Sequence, residues 1–519
     1  AAPPMAADAV RAVESWPVAT TVEFSLNGVH YGAVSATFTY YAPPAVVSLA
    51  PQMVPVSGDT LLSVTGSGFG DGGNVAGLRC AFRTAAAAAA GTSPPALATS
   101  AATWVSASML RCVVPSAAAV GAADGDALTV DVSRNALDFS SGSPQFTFAA
   151  DASLMAASPA SGPISGGTAV LVTGSNFKSS ESLFCRFGAA SVVPATWLTA
   201  AAIRCVAPAV DAPTLAALAV SNNNIDFTAS SGVTFEYTPV VVLNATTPTS
   251  GPVVGATIVT VRGEGFANTP TLACRFGATS VPALRYVNAT AIECAAPTHA
   301  VGVIALEVSN NNMDFTASGF TFAYMPLPVI VSVTPRRGLV SGGAVARITG
   351  SGFESGSLWC RFGDAAVAVA ATSVTATSAA CVAPAAGRGG GAVSLKLSSN
   401  GVDYTSRGVQ FIYDGAMSVS AVTPSSGAEM GGTTLSVRGA GFVRASTLSC
   451  RFGGSDTHAV SAAWVSSTLV RCVAPEHAPG AVSVGVSGNG QQFADSAAAL
   501  FTYNARATVS TISPAEGPV

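Results

Sequence analysis

The sequence predicts an all-β chain built as a row of small, cystine-stapled sandwiches. Three observations carry this. Ten cysteines recur as five pairs, short alternating strands lie between Gly, Pro and Asn turns, and no segment shows a helical period. The pairs are Cys80 with Cys112, Cys185 with Cys205, Cys274 with Cys294, Cys360 with Cys381 and Cys450 with Cys472. From one first cysteine to the next the steps are 105, 89, 86 and 90 residues, a period that marks repeated domains rather than one large core. The long step contains an Ala-rich insertion, Ala85 to Ala90 followed by Gly-Thr-Ser-Pro-Pro.

Each period opens with a turn, as in Ser161-Gly162-Pro163-Ile164-Ser165-Gly166-Gly167, and continues into a strand. In that strand an apolar position (Val64, Val172, Val261, Ile348, Val437) precedes a polar one (Thr65, Thr173, Arg262, Thr349, Arg438), the alternation of a half-buried strand. Gly-x-Gly-Phe follows it, at Gly66, Gly263, Gly350 and Gly439. A dinucleotide fingerprint would need a helix and a third glycine here, and neither is present. Asn176 replaces the second glycine in one copy, which points to a left-handed turn.

Next comes Cys-Arg-Phe-Gly, opening at Cys185, Cys274, Cys360 and Cys450, with Cys80-Ala81-Phe82-Arg83 as a weaker copy. Alternation turns its Arg away from the buried Cys and Phe. A solvated or same-module partner is expected for it, with acidic residues of a neighbouring chain as the alternative. An aromatic stands eight residues before the second cysteine (Trp104, Trp197, Tyr286, Trp464; Ser373 in the fourth copy), read as core packing rather than a ligand-stacking platform. A proline three residues after the second cysteine (Pro115, Pro208, Pro297, Pro384, Pro475) ends the strand. The period closes with two strands around an Asn-rich turn, Ser221-Asn222-Asn223-Asn224-Ile225-Asp226-Phe227 in one copy and Ser309 to Phe315 in the next. Calcium would need six or more convergent oxygens, and the run lacks a bidentate Glu at set spacing, so a hairpin turn is expected.

Short strands in periods of about 89 residues describe an immunoglobulin-like sandwich. The order Pro-x-x-Gly-Pro-x-x-Gly-Gly, strand, Gly-x-x-Phe, Cys-x-Phe-Gly, aromatic, Cys-x-x-Pro and closing Phe-x-Tyr resembles the IPT/TIG family. These are Ig-like modules of plexin-type receptors, fibrocystin-like surface proteins and some transcription factors. The expected division is 43–149, 150–239, 240–326, 327–415 and 416–504 as whole modules, 1–42 as the closing part of another and 505–519 as the start of a further one. Ala1-Ala2-Pro3 matches Ala295-Ala296-Pro297, so residue 1 reads as the residue after a second cysteine. From the closing aromatic of one module to the proline opening the next turn the separation is 11 residues at all six junctions, Tyr40 to Pro51 through Tyr503 to Pro514. Constant joints beside variable loops predict one joint geometry and an elongated rod, on the order of 150 Å or more for five modules.

Pairs 20 to 32 residues apart, one inside each period, are expected to be disulfides, each stabilising by about 3 kcal/mol. Free buried thiols are the alternative. Zinc would need four ligands, and His30, His299, His458 and His477 sit at unrelated positions and do not recur with the cysteines. Disulfides imply an oxidising compartment, hence an extracellular or cell-surface location through the secretory pathway. Asn244-Ala245-Thr246 and Asn288-Ala289-Thr290 are glycosylation sequons, with Asn244 and Asn288 as acceptors. No cofactor or metal is expected, and no Gly-x-Ser-x-Gly elbow, His-Glu-x-x-His or carboxylate pair provides for catalysis.

A net charge of −4, 10% charged residues and two lysines, Lys178 and Lys396, exclude a basic nucleic-acid surface. Mean hydropathy is high, yet Ser, Thr, Gly and Pro interrupt every apolar run, so no membrane span is expected. The expected function is a non-catalytic, extracellular structural and adhesive one: a stiff array that spaces or assembles into a surface filament, its partners proteins, copies of itself or other subunits, and glycans. The alternatives are a plexin-like or fibrocystin-like receptor ectodomain and an accessory array beside a catalytic domain.

Overall fold

The structure is a computed structural model that describes residues 17–32, 36–70, 76–84, 97–141, 144–189, 191–229, 232–363, 368–386, 389–454 and 458–517. The Ala-rich insertion lies outside these residues. The chain forms two units, residues 1–240 and 241–519. Unit 1 holds a two-stranded hairpin (Val18–Val22 with Ala36–Tyr40) and modules 1 and 2, and unit 2 holds modules 3, 4 and 5. The fold is nearly all β, five Ig-like sandwiches in tandem.

The second module shows the pattern. Its strands are β1 Ser153–Ser158, β2 Ser161–Pro163, β3 Ala169–Ser175, β4 Phe184–Phe187, β5 Ser191–Thr199, β6 Ala202–Val206, β7 Thr214–Ser221 and β8 Thr234–Thr238. The order β1-β3-β6-β5-β4-β7-β8-β2 runs through both layers, because β5 pairs with β4 through Ser191–Pro194 and with β6 beyond it. In modules 3 and 5 the same stretch breaks into two strands, Thr279–Pro282 and Arg285–Asn288 in the first and Ala459–Ser461 and Ala463–Ser466 in the second, and the layers separate. All pairings are antiparallel except β2 with β8. The X-Pro bond that opens each module's turn, such as Ser158-Pro159, is cis.

Apolar alternation sets the core. Val170, Val172, Ile203, Val220, Phe177 and Phe235 are buried in module 2, with equivalents in the other four cores. The cysteines are buried with them, and each pair is joined as a cystine across the two layers. Cys80 bonds Cys112 in module 1, Cys185 bonds Cys205 in module 2, Cys274 bonds Cys294 in module 3, Cys360 bonds Cys381 in module 4 and Cys450 bonds Cys472 in module 5. Their Cα atoms stand 6.2 to 6.4 Å apart, within the span that a disulfide bridges. The free-thiol alternative thus gives way, and no cysteine is left over.

Beside each cystine the Phe of Cys-Arg-Phe-Gly meets the closing Phe-x-Tyr edge to face, Phe187 to Phe235 at 5.4 Å and Phe362 to Phe411 at 5.0 Å. The two glycines of Gly-x-Gly-Phe have different causes. A Cβ on Gly174 would lie 1.9 Å from the Ser153 carbonyl oxygen, so the first permits the close approach of β1. The second is left-handed, and Asn176 adopts φ 61° in its place.

The aromatic before the second cysteine meets the expected core packing in two copies, where Trp104 and Tyr286 are half-buried against their cores, and departs from it in two others. Trp197 is 41% exposed and Trp464 39%. A register shift between Trp197 and Thr199 leaves the ring at the sheet margin, where Nε1 donates to the Phe177 carbonyl at 3.1 Å; Trp464 does the same to Phe442 at 3.2 Å. An indole N–H needs an acceptor, and the nearest is the turn after Gly-x-Gly-Phe.

Burial pushes the closing tyrosines Tyr237, Tyr324, Tyr413 and Tyr503 up to about 12. The folded core holds the neutral phenol, whereas an unfolded tyrosine ionises near about 10. Below that pH both states keep the proton; between about 10 and 12 the unfolded state loses it first, and stability falls. Denaturant midpoints measured from pH 8 upward are expected to stay level to about pH 10 and then decline.

Candidate functional site at the module joints

Within each unit the Asn-rich turn is where successive modules meet. In module 2 Asn223 Oδ1 accepts the N–H groups of Ile225 (3.0 Å) and Asp226 (2.9 Å) and the hydroxyl of Ser221 (2.9 Å). This Asx turn explains why Ser-x-Asn recurs in every copy, and the residue after the Asn is left-handed: Ala136, Asn224, Asn312, Gly401 and Gly490. The neighbouring Asn222 ties the turn to its own Gly-x-Gly-Phe loop, donating to the Asn176 carbonyl (2.9 Å) and accepting from the Lys178 N–H (3.0 Å).

With its carbonyl oxygen occupied, Asn223 still has two N–H donors. One goes to Asp226 Oδ2 at 2.7 Å. The other reaches back to the Met53 carbonyl of module 1 at 3.0 Å, and Asp226 Oδ2 accepts the Thr60 hydroxyl of module 1 at 2.7 Å. Thr60 is fully buried there. The same set recurs in unit 2 between modules 3 and 4. Asn400 donates to the Ser250 carbonyl (2.8 Å) and to Asp403 (2.7 Å), and the buried Thr257 hydroxyl donates to Asp403 (2.7 Å). At both of these joints a turn of the later module is thus a clasp, and the opening turn of the earlier module is its socket.

Between modules 4 and 5 the chemistry changes while the placement holds. Asn489 donates to the Arg337 carbonyl at 3.3 Å and to Gln492 Oε1 at 3.0 Å. Gln492 accepts the Leu339 N–H (3.0 Å) and donates to the Gly342 carbonyl (2.7 Å), and Gln491 makes a two-way pair with the Val345 backbone (2.8 and 3.0 Å). Ala344 fills the threonine position. Arg337 adds a bidentate pair to Asp414 (2.7 and 2.9 Å) and donates to the Arg444 carbonyl of module 5 (3.1 Å).

The Arg of Cys-Arg-Phe-Gly finds its partner inside its own module. Arg186 lies over Phe227 at 4.4 Å, Arg275 over Phe315 at 4.2 Å, Arg361 over Tyr404 at 3.9 Å and Arg451 over Phe493 at 4.3 Å. Each aromatic directly follows the last clasp residue, so the stacked guanidinium anchors the far end of the turn. Between modules 1 and 2 Lys178 also pairs with Asp124 at 3.1 Å. The Ala150 N–H and then that lysine hold the Asp124 carboxyl below the usual range. Being exposed, the pair contributes little. An open cavity of about 380 Å³ beside this joint is lined by Met53, Ser57, Asp151, Asn222 and Phe227.

Of the two sequon asparagines, Asn244 is exposed on the first strand of module 3, but its Thr246 is buried. Asn288 is exposed at a hairpin turn, with Oδ1 accepting the N–H and hydroxyl of Thr290 (2.9 and 2.8 Å). The histidines correct one expectation. His299 and His477 are equivalent, each five residues after a second cysteine (Cys294 and Cys472) and stacked 4.9 Å from its closing tyrosine, Tyr324 and Tyr503. Among the described residues no three His, Cys, Asp or Glu side chains converge as metal ligands, and no helix is long and apolar enough to cross a membrane.

A tandem array of Ig-like sandwiches joined by side-chain clasps is thus the class of protein defined by fold and joint. The IPT/TIG domain model matches residues 44–148, 152–237, 242–324, 328–413 and 417–503, and the chain belongs to that family of non-catalytic Ig-like domains. It is similar to mouse (Mus musculus) Fibrocystin-L, 28% identical over 284 residues, which is 52% of this chain and 6% of that protein. It is also similar to Plexin-A4 of Danio rerio, 31% identical over 121 residues, 21% of this chain and again 6% of the relative. Among solved structures the plexin A4 full extracellular region aligns over 89% of this chain and 50% of its own at 14% identity, with a TM-score of 0.31.

Removing one clasp acceptor strands a buried donor. Asp403→Ala leaves the Thr257 hydroxyl buried without a partner, at a cost of about 1 to 3 kcal/mol to the joint. Backbone hydrogen exchange is expected to quicken at the opening turn of module 3 and the turn of module 4, while the module cores keep their protection.

Proposed function

We propose that this chain is a non-catalytic, extracellular structural and adhesive array, whose clasped joints hold successive modules at set angles so that it spaces or assembles into a cell-surface filament. The observation that carries this is the recurrence of one clasp, with Asn223 and Asn400 making the same contacts at joints in different units. Such joints resist bending because each is held by buried or half-buried hydrogen bonds rather than by a flexible linker. One cystine per module supports an oxidising compartment. The relatives favour a second reading, a receptor ectodomain that uses the array to present a protein- or glycan-binding module.

Small-angle scattering of the chain is expected to give a rod profile with the cross-section of one module, and sedimentation to show association that grows with concentration. A profile of freely jointed modules would remove the stiff-array reading. A rod that stays monomeric at all concentrations would favour the receptor.

We also propose that Asn288 carries N-linked glycan in the secretory pathway, because its Nδ2 lies at an exposed turn, and that Asn244 does so less fully, because its sequon threonine is packed inward. Peptide mapping before and after enzymatic deglycosylation should find high occupancy at Asn288 and lower occupancy at Asn244. An unmodified Asn288 in secreted material would refute this.

A further inference from the structure

The sockets and clasps vary together. Sockets with a threonine, Thr60 and Thr257, receive an Asp, whereas the socket with Ala344 receives Gln492. The donors explain the match. At the third residue of the opening strand the threonine sockets carry Pro55 and Pro252, which have no N–H, so the hydroxyl is the donor and a carboxylate takes it together with the Asn amide. At the alanine socket the hydroxyl is gone and Leu339 supplies an N–H instead. There a carboxamide accepts that N–H and also donates to the Gly342 carbonyl, which a carboxylate cannot do.

The opening turn of module 5 repeats the socket, and among the described residues no clasp lies on it. Ser426 stands where Met53, Ser250 and Arg337 stand, Ala428 where Leu339 stands, and Thr433 where Thr60 and Thr257 stand. Its placement matches theirs: a Cβ on Gly427 would lie 2.3 Å from Thr433 Oγ1, as one on Gly251 would lie 2.2 Å from Thr257 Oγ1. Yet Thr433 is half-exposed, and its hydroxyl has no hydrogen-bond partner among the described residues, whereas Thr60 and Thr257 are fully buried and paired. This socket therefore offers two donors, the Thr433 hydroxyl and the Ala428 N–H, and one acceptor, the Ser426 carbonyl.

We infer that the module 5 socket is an interaction surface for a further IPT/TIG module whose turn reads Ser-x-Asn-x-x-Asp, and that it discriminates against a turn ending in Gln. A carboxylate oxygen pair accepts both donors and the turn's own Asn amide, while the Asn amide also reaches Ser426. A carboxamide has one oxygen, which the turn's Asn amide and the Ala428 N–H would fill as the Asn489 amide and the Leu339 N–H fill Gln492 Oε1, and it leaves the hydroxyl unpaired inside the contact. The threonine and the acidic residue act as a matching pair that sets which module can follow which.

Two extended chains test this. The chain through Tyr503 is continued either by module 4 with its own preceding spacer (residues 325–415, carrying Asp403) or by module 5 with its own (residues 414–504, carrying Gln492), and exchange of the Ala428 amide is followed. Slowing of about tenfold or more is expected with the Asp-bearing module and little with the Gln-bearing one, the worth of one well-made hydrogen bond. Thr433→Ala in the socket should reverse the preference. Equal protection by both, or by neither while the added module forms its cystine, overturns the inference.

Should an added module not fold, the native joint between modules 4 and 5 gives the second readout. Ala344→Thr with Gln492→Asp rebuilds there the donor and acceptor set assigned to the module 5 socket. The double variant is expected to protect the Leu339 amide about tenfold better than Gln492→Asp alone. Effects of the two changes that simply add would equally overturn the pairing rule.

Discussion

One side-chain amide, repeated at Asn223, Asn400 and Asn489, carries the joints. Its oxygen closes the Asx turn within its own module and its nitrogen bonds the backbone of the module before, so the hairpin and the contact are made by the same group. No other residue type does both at this size. Aspartate would close the turn but has no donor for the neighbouring carbonyl, and serine reaches only one side. Most of the other recurring features serve to hold that turn in place: the Ser two residues before it, the left-handed residue after it, and the guanidinium stacked on the aromatic at its end.

Much of the module was legible because its signals are local. The cystine pairs, the left-handed second position of Gly-x-Gly-Phe and the alternation of the third strand each depend on neighbours a few tens of residues away at most, and Asn176 at φ 61° is the clearest case. The joint was harder to read. Asn223 reaches a carbonyl 170 residues earlier in the chain, and a hairpin turn already accounts for an Asn-rich run. The available signal was excess recurrence: Ser-x-Asn-x-x-Asp is more than a turn requires, and the one copy that ends in Gln492 follows the one socket that carries Ala344. Two of the indoles, Trp197 and Trp464, misled for a related reason. A large ring at a fixed distance from a cystine reads as core, but its N–H needs an acceptor, and the sheet margin provides one.

Modules of this size bury a limited core, so the joint and the cystine share the stabilisation that a larger domain would take from packing alone. The fully buried Thr60 and Thr257 illustrate how the two levels merge. Each lies under the opening turn of its own module, and each becomes satisfied only when the next module is in place. The equivalent Thr433 of module 5 is half-exposed.

The cystine also governs what tension could draw out of the array. Because it joins the fourth strand to the sixth, the stretch from Cys185 to Cys205, a sequence separation of 20, cannot lengthen even when the rest of their module is pulled straight. At the reach of an extended chain this withholds on the order of 70 Å from each module. Load passing through the chain would therefore run along the outer strands and the covalent sulfur bridge, bypassing the loop that carries Trp197. A pulled module would be a short leash with a closed knot of sequence at its centre.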